Sequence, residues 1–101
     1  LKQTGEIVPV ELKVVKHGRK VKLSPHQIAF HARHAEIGVR TFVLVLYIPP
    51  RKSAVKEGRL LLYAGRQVLE LAKSGIDTDP IVSYHYGAVP WGMLMYTLAE
   101  A

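Results

Sequence analysis

V-P-V-E-L-K-V-V, residues 8–15, reads as a β-strand with two unlike faces. Side chains on a strand alternate between faces. Val8, Val10, Leu12 and Val14 therefore point one way, and Glu11 and Lys13 point the other. The valines and leucine make an apolar face, and the charged pair stands on the opposite one. A carboxylate and an ammonium held side by side on a strand are what a metal-dependent phosphodiesterase uses. The carboxylate holds a divalent cation, while the lysine orients the attacking water or neutralises charge developing on phosphate. The same tripeptide also occurs as a plain ion pair on a solvated strand face, so its surroundings decide its weight.

Upstream, the strand extends back to residue 6. Downstream, K-H-G-R-K at 16–20 is a basic turn leading to a short extended piece at 21–23. Ser24 is a good N-cap, Pro25 suits the first helical position, and Gln27 completes a capping box three residues after the serine. Leu23 and Ile28 can close a hydrophobic staple across that cap. Ile28, Ala32 and Ala35 recur at helical spacing and Gly38 is a natural stop, which predicts a helix over 25–37.

Residues 39–48 form a β-branched, nearly continuous apolar run that stops at Pro49-Pro50. A strand apolar on both faces belongs in the middle of a covered sheet. Residues 51–58 read as a basic, polar surface loop, and 59–63 as another strand. Over 65–73, Val68, Leu69 and Ala72 lie at helical spacing, and Gly75 ends the helix. Asp79-Pro80 is a turn, 81–86 a further extended piece, and 91–98 a final amphipathic stretch. Strands alternating with helices predict an α/β domain.

A chain of 101 residues has room for one domain and one core. Its 49% hydrophobic and 22% charged content are those of a globular protein. No apolar run approaches the ~20 residues of a membrane span and no signal-peptide pattern opens the chain, so the expectation is a soluble protein of the cytoplasm, without a membrane partner. The absence of cysteine excludes disulfides and thiolate zinc sites. A net charge of +6 points to a polyanionic partner.

The run from Glu11 to Val45 resembles the PD-(D/E)XK nuclease superfamily, particularly the virus-type replication-repair nucleases and similar small phage proteins. The resemblance is carried by V-P-V-E-L-K at 8–13, L-S-P-H-Q at 23–27, the helix that follows to Gly38, and T-F-V-L-V at 41–45, with L-L-L-Y-A-G at 60–65 adding to it. It implies a restriction-endonuclease-like core, a mixed central sheet flanked by helices, that cuts DNA with Mg2+ or Mn2+. Glu11 matches the family's second metal-binding acid, Lys13 its catalytic lysine, and the main-chain carbonyl of Leu12 a further metal ligand. Gln27 matches the polar helix residue that lies against the active site. Hard divalent cations prefer such oxygen ligands.

The family's metal-binding aspartate on a preceding strand has no counterpart here. Ten residues precede Glu11, and the sole acid among them is Glu6. In one regular strand its odd separation puts it on the opposite face, roughly 16 Å away. The first helix and strand of the family core are likewise missing, so the expectation is a fragment, with a homodimer as one means of completing the site.

Gln27, His31 and His34 fall at i, i+4 and i+7 on one helix face. Histidines one turn apart can share a cation, but no third ligand at suitable spacing is evident, and a polar face beside the active site or a DNA backbone is the simpler reading. Lys16, Arg19, Lys20 and Lys22 cluster after the Glu-x-Lys strand and are candidates for DNA backbone contacts, or are simply solvated. Arg51, Lys52 and Lys56 make a second basic loop, read as solvated. Tyr84, Tyr86 and Trp91 suit core closure or a dimer interface better than a base-stacking platform. No serine or cysteine lies in a nucleophile motif.

The sequence thus leads to a metal-dependent DNA endonuclease of phage type, acting on branched DNA in replication, repair or recombination. Its alternatives are a non-catalytic DNA-binding or assembly module that keeps the nuclease fold with an incomplete metal site, and a basic α/β domain that binds RNA or another protein, in which Glu11 and Lys13 are only an exposed ion pair.

Overall fold

The computed structural model describes residues 2–3, 6–16, 18–49, 58–85, 89 and 91–100. The chain runs β1 (Lys2–Gln3), β2 (Glu6–Ile7), β3 (Val10–Val15), α1 (Pro25–Glu36), β4 (Phe42–Tyr47), β5 (Arg59–Ala64), α2 (Val68–Ser74), β6 (Val82–His85) and α3 (Trp91–Glu100). One-turn 3-10 segments, Gly65–Gln67 and Gly75–Asp77, flank α2. The second basic loop at 51–57 and Tyr86 lie outside the described residues.

β3 to β6 form one mixed sheet in sequence order, with β3 and β4 parallel and the other pairs antiparallel. Parallel neighbours need a crossover, and α1 supplies it. The α/β class and a mixed sheet flanked by helices are therefore as the sequence predicts.

The first strand is not one element. β2 pairs with β1 as a separate small hairpin, and the chain breaks at Val8-Pro9 before β3. Proline has no N–H for a ladder, so it interrupts regular pairing. Pro9 still accepts from the Phe42 amide at 3.0 Å, which fixes the start of the β3–β4 register.

Alternation along β3 is as expected, but the environments of its two faces are not. Glu11, Lys13 and Val15 share the sheet face of Val43, Val45, Leu61 and Tyr63. That face packs against Val21, Leu23, Leu71 of α2 and Ile76. Val10, Leu12 and Val14 share the other face with Phe42, Leu44 and Leu62. There α3 covers only part of the sheet: Leu94 and Leu98 pack with Val8, Phe42 and Leu62. Leu12 stays 71% exposed and Val14 57%. The charged pair is thus turned toward α1, and half of the apolar face is bare.

Central β4 is buried on both faces at Phe42 and Val43, as a strand apolar throughout requires. In α2 the buried residues are Val68 and Leu71, while Leu69, expected inside, is 67% exposed. Gly75 ends α2 at φ +59, where a Cβ would overlap the Arg19 carbonyl. Only glycine fits that contact between the basic turn and the 3-10 segment after α2.

Candidate phosphodiester site

Glu11 and Lys13 stand on β3, the edge strand of the sheet, beneath the first turns of α1. Their side chains are 22% and 21% exposed, and Lys13 Nζ lies 3.3 Å from Glu11 Oε2. The lysine also donates to Gln27 Oε1 at 2.9 Å. That same oxygen accepts the Ser24 amide at 2.9 Å, while Ser24 Oγ accepts the Gln27 amide at 3.1 Å. The capping box that starts α1 is therefore also what holds the lysine. Leu12 sits between the pair with its side chain on the far face, so only its main chain belongs to the site.

Below the carboxylate lies a feature the sequence reading places elsewhere. His31 is 1% exposed. Its Nε2 is 3.3 Å from Glu11 Oε1 and its Nδ1 is 2.7 Å from Thr41 Oγ1. A neutral imidazole protonated on Nε2 satisfies both contacts: it donates to the carboxylate and accepts the Thr41 hydroxyl proton. Gly65 closes the back of this arrangement, since a Cβ there would overlap Thr41 Oγ1 and crowd His31. The Gly65 amide donates to the Thr41 carbonyl at 2.7 Å.

His31 thus orients Glu11 and, with both ring nitrogens engaged and its side chain buried, offers no surface to DNA, contrary to the shared polar face expected for it and His34. His34 is partly exposed, donating from Nδ1 to the Phe30 carbonyl at 2.7 Å. The only cue in the sequence was the i+4 spacing from Gln27; Thr41 and Gly65, brought in from other elements, carry no local signal.

Glu11 Oε2 is buried and has no hydrogen-bond partner. Its charge is faced instead by the Lys13 ammonium 3.3 Å away, so the atom is ion-paired within the site. Glu11 and the Leu12 carbonyl are the protein oxygens the resemblance assigns to a cation. Among the described residues no three histidine, aspartate or glutamate side chains gather to hold one. That donor set fits Mg2+ or Mn2+ only in the manner usual for Mg2+, one carboxylate supplemented by waters and substrate phosphate oxygens.

Two open pockets flank the pair along β3. One, about 440 Å³, is lined by Lys13, Val14, Val15, Lys16, Lys20 and Lys22. The other, also about 440 Å³, is lined by Pro9, Val10, Glu11, His26, Gln27 and Phe30. Three of the four expected backbone-contacting residues thus meet in one groove beside Lys13. The fourth, Arg19, instead donates to Asp77 at 2.6 Å in an exposed ion pair. Trp91 is 57% exposed, whereas Tyr84 is partly buried against the α3 side of the sheet. Among the described residues no helix is long and apolar enough to cross a membrane. Comparison with protein-family models, curated proteins and solved structures found no match.

Proposed function

We propose that the chain carries a nuclease-type site for DNA phosphodiesters on a restriction-endonuclease-like core. The observation that carries this reading is the convergence of Glu11, Lys13 and Gln27 at the edge of a sheet, beside a groove of lysines. The mixed sheet flanked by helices, with the parallel β3–β4 pair bridged by α1, supports this reading as far as the class of fold goes.

In this reading the Glu11 carboxylate and the Leu12 carbonyl would hold Mg2+ or Mn2+, which would supply Lewis acidity toward water and phosphate when bound. His31 keeps the carboxylate in one orientation. Lys13, held between Gln27 and Glu11, orients the nucleophilic water or stabilises the charge growing on the scissile phosphate. Lys16, Lys20 and Lys22 neutralise neighbouring phosphates and set the strand's path. The chemistry is in-line hydrolysis, with no covalent intermediate on the protein.

The test is cleavage of linear, flapped and four-way-junction DNA with Mn2+ by the parent, Glu11→Ala and Lys13→Ala. Cutting by the parent alone supports the enzyme. A second reading, a DNA-binding module without catalysis, is favoured by the single carboxylate at the site. It expects no cutting by any of the three, and DNA binding that Glu11→Ala leaves unchanged or strengthens, because a carboxylate without a cation repels phosphate.

A further inference from the structure

The pocket at the Glu11 end of β3 has a different chemistry from the lysine groove at the Lys13 end. Pro9, Val10 and Phe30 give it apolar walls, and His26 adds a second ring at its rim. Phe30 is 39% exposed, a large aromatic that neither the core nor the cap uses. Its ring is nonetheless fixed: His34 lies 4.2 Å away at a 39° tilt, and His31 meets it edge-on at 5.2 Å. Through His31 the ring is thus tied to the same element that positions Glu11.

Val10 and Val14, on the walls of the two pockets, are four residues apart, about 13 Å along the strand. A polyanion running along the β3 edge would therefore lay phosphates on Lys16, Lys20 and Lys22, pass Lys13 and Glu11, and reach an aromatic pocket. Lysines favour the backbone of that ligand, and a rigid exposed ring favours the flat face of its base.

Resting on the phosphodiester reading above, we infer that the Pro9–Val10–His26–Phe30 pocket seats one unpaired nucleobase, stacked on Phe30, next to the phosphate held at Lys13. A base within a duplex has both faces covered by its neighbours and cannot enter. The site therefore takes DNA with an unpaired nucleotide at this position, and prefers it to continuous duplex.

The experiment measures binding of a fluorescein-labelled 12-nucleotide oligo-dT, a matching 12-base-pair duplex, and an oligo-dT with one abasic position scanned along it. The proteins are the parent, Phe30→Ala, Phe30→Leu and the double variant Lys20→Ala/Lys22→Ala, each checked by circular dichroism. The expected result is a loss of about tenfold for Phe30→Ala on the single strand and little loss on the duplex, within the range usual for one stacked base. Phe30→Leu should recover only part of it, and one abasic position should reproduce the loss in the parent but not in Phe30→Ala. The lysine variant should weaken both DNAs alike. Equal effects of Phe30→Ala on both DNAs, or no abasic position that matters, would overturn the base seat. If the lysine variant weakens binding in that case, the phosphodiester reading still stands; if it binds as the parent does, that reading fails too.

Discussion

At the residue scale, the site depends on a histidine that touches no solvent. Replacing His31 with alanine leaves Glu11 Oε1 and the Thr41 hydroxyl without their partner and opens a cavity under the carboxylate. Unpaired buried groups and large-to-small truncation together cost about 2–4 kcal/mol, and thermal melting of His31→Ala should show a loss of that order. Gly65→Ala should be destabilising for the opposite reason: its methyl would collide with Thr41, and overpacking costs about 1–3 kcal/mol. Tyr63 offers a control outside the Glu11–Lys13–Gln27 cluster. Its hydroxyl is buried without a hydrogen-bond partner. Burial, partly offset by Arg19 and reinforced by Asp77 and Asp79, pushes it from 10.0 up to about 12. The folded state thus holds this proton more tightly than the unfolded chain does. Its contribution is fully present below pH 10 and is lost as pH rises toward 12. Urea denaturation across that window should show stability falling in the parent and falling less in Tyr63→Phe, which should fold at neutral pH at least as well because it removes an unpaired hydroxyl. An identical alkaline slope in the two proteins would refute the assignment.

At the element scale, α1 begins and the site is assembled through the same side chain. Ser24→Ala removes only the acceptor for the Gln27 amide and should cost about 1 kcal/mol of stability. Gln27→Ala removes the acceptor shared by the Ser24 amide and Lys13, so it should match that loss in stability and also impair cleavage, or phosphate binding where no cleavage occurs. Comparing the two variants by melting and by DNA assay separates capping from positioning. This shared role explains why so much of α1 was legible: S-P-H-Q is local chemistry, with cap, first-turn proline and box partner all inside four residues. The Glu11–Lys13 juxtaposition was legible for the same reason, since strand alternation alone fixes it. What β3 would face was not. V-P-V-E-L-K-V-V says that two faces differ, but which one a helix covers depends on where α1 and α3 return to the sheet. Those returns placed the charged pair under α1 and left Leu12 and Val14 bare. Leu69 was misplaced by similar logic, because a seven-residue helix is too short for its period to distinguish Val68 and Leu71 from Val68, Leu69 and Ala72.

At the scale of the whole molecule, the excess of positive charge matters through where it gathers. A net charge of +6 spread evenly would favour any polyanion weakly. Here Lys16, Lys20 and Lys22 converge with Lys13 on one groove, while Arg19 of the same turn is tied to Asp77. Clustered cations that contact phosphates release counterions, so affinity for duplex DNA should fall with salt, each phosphate contact contributing about 0.9 to the slope of log affinity against log salt. Lys16→Ala, Lys20→Ala and Lys22→Ala should each reduce that slope by nearly one, and Arg19→Ala should change it little. Titrations from 50 to 300 mM NaCl, followed by fluorescence anisotropy, measure the slopes directly. If Arg19→Ala lowers the slope as much as the three lysine variants do, the turn acts as a diffuse positive surface, and the path assigned to the strand along β3 is wrong. If only the lysines lower it, the phosphates lie in the groove beside Lys13, within reach of the lysine that Gln27 and Glu11 hold.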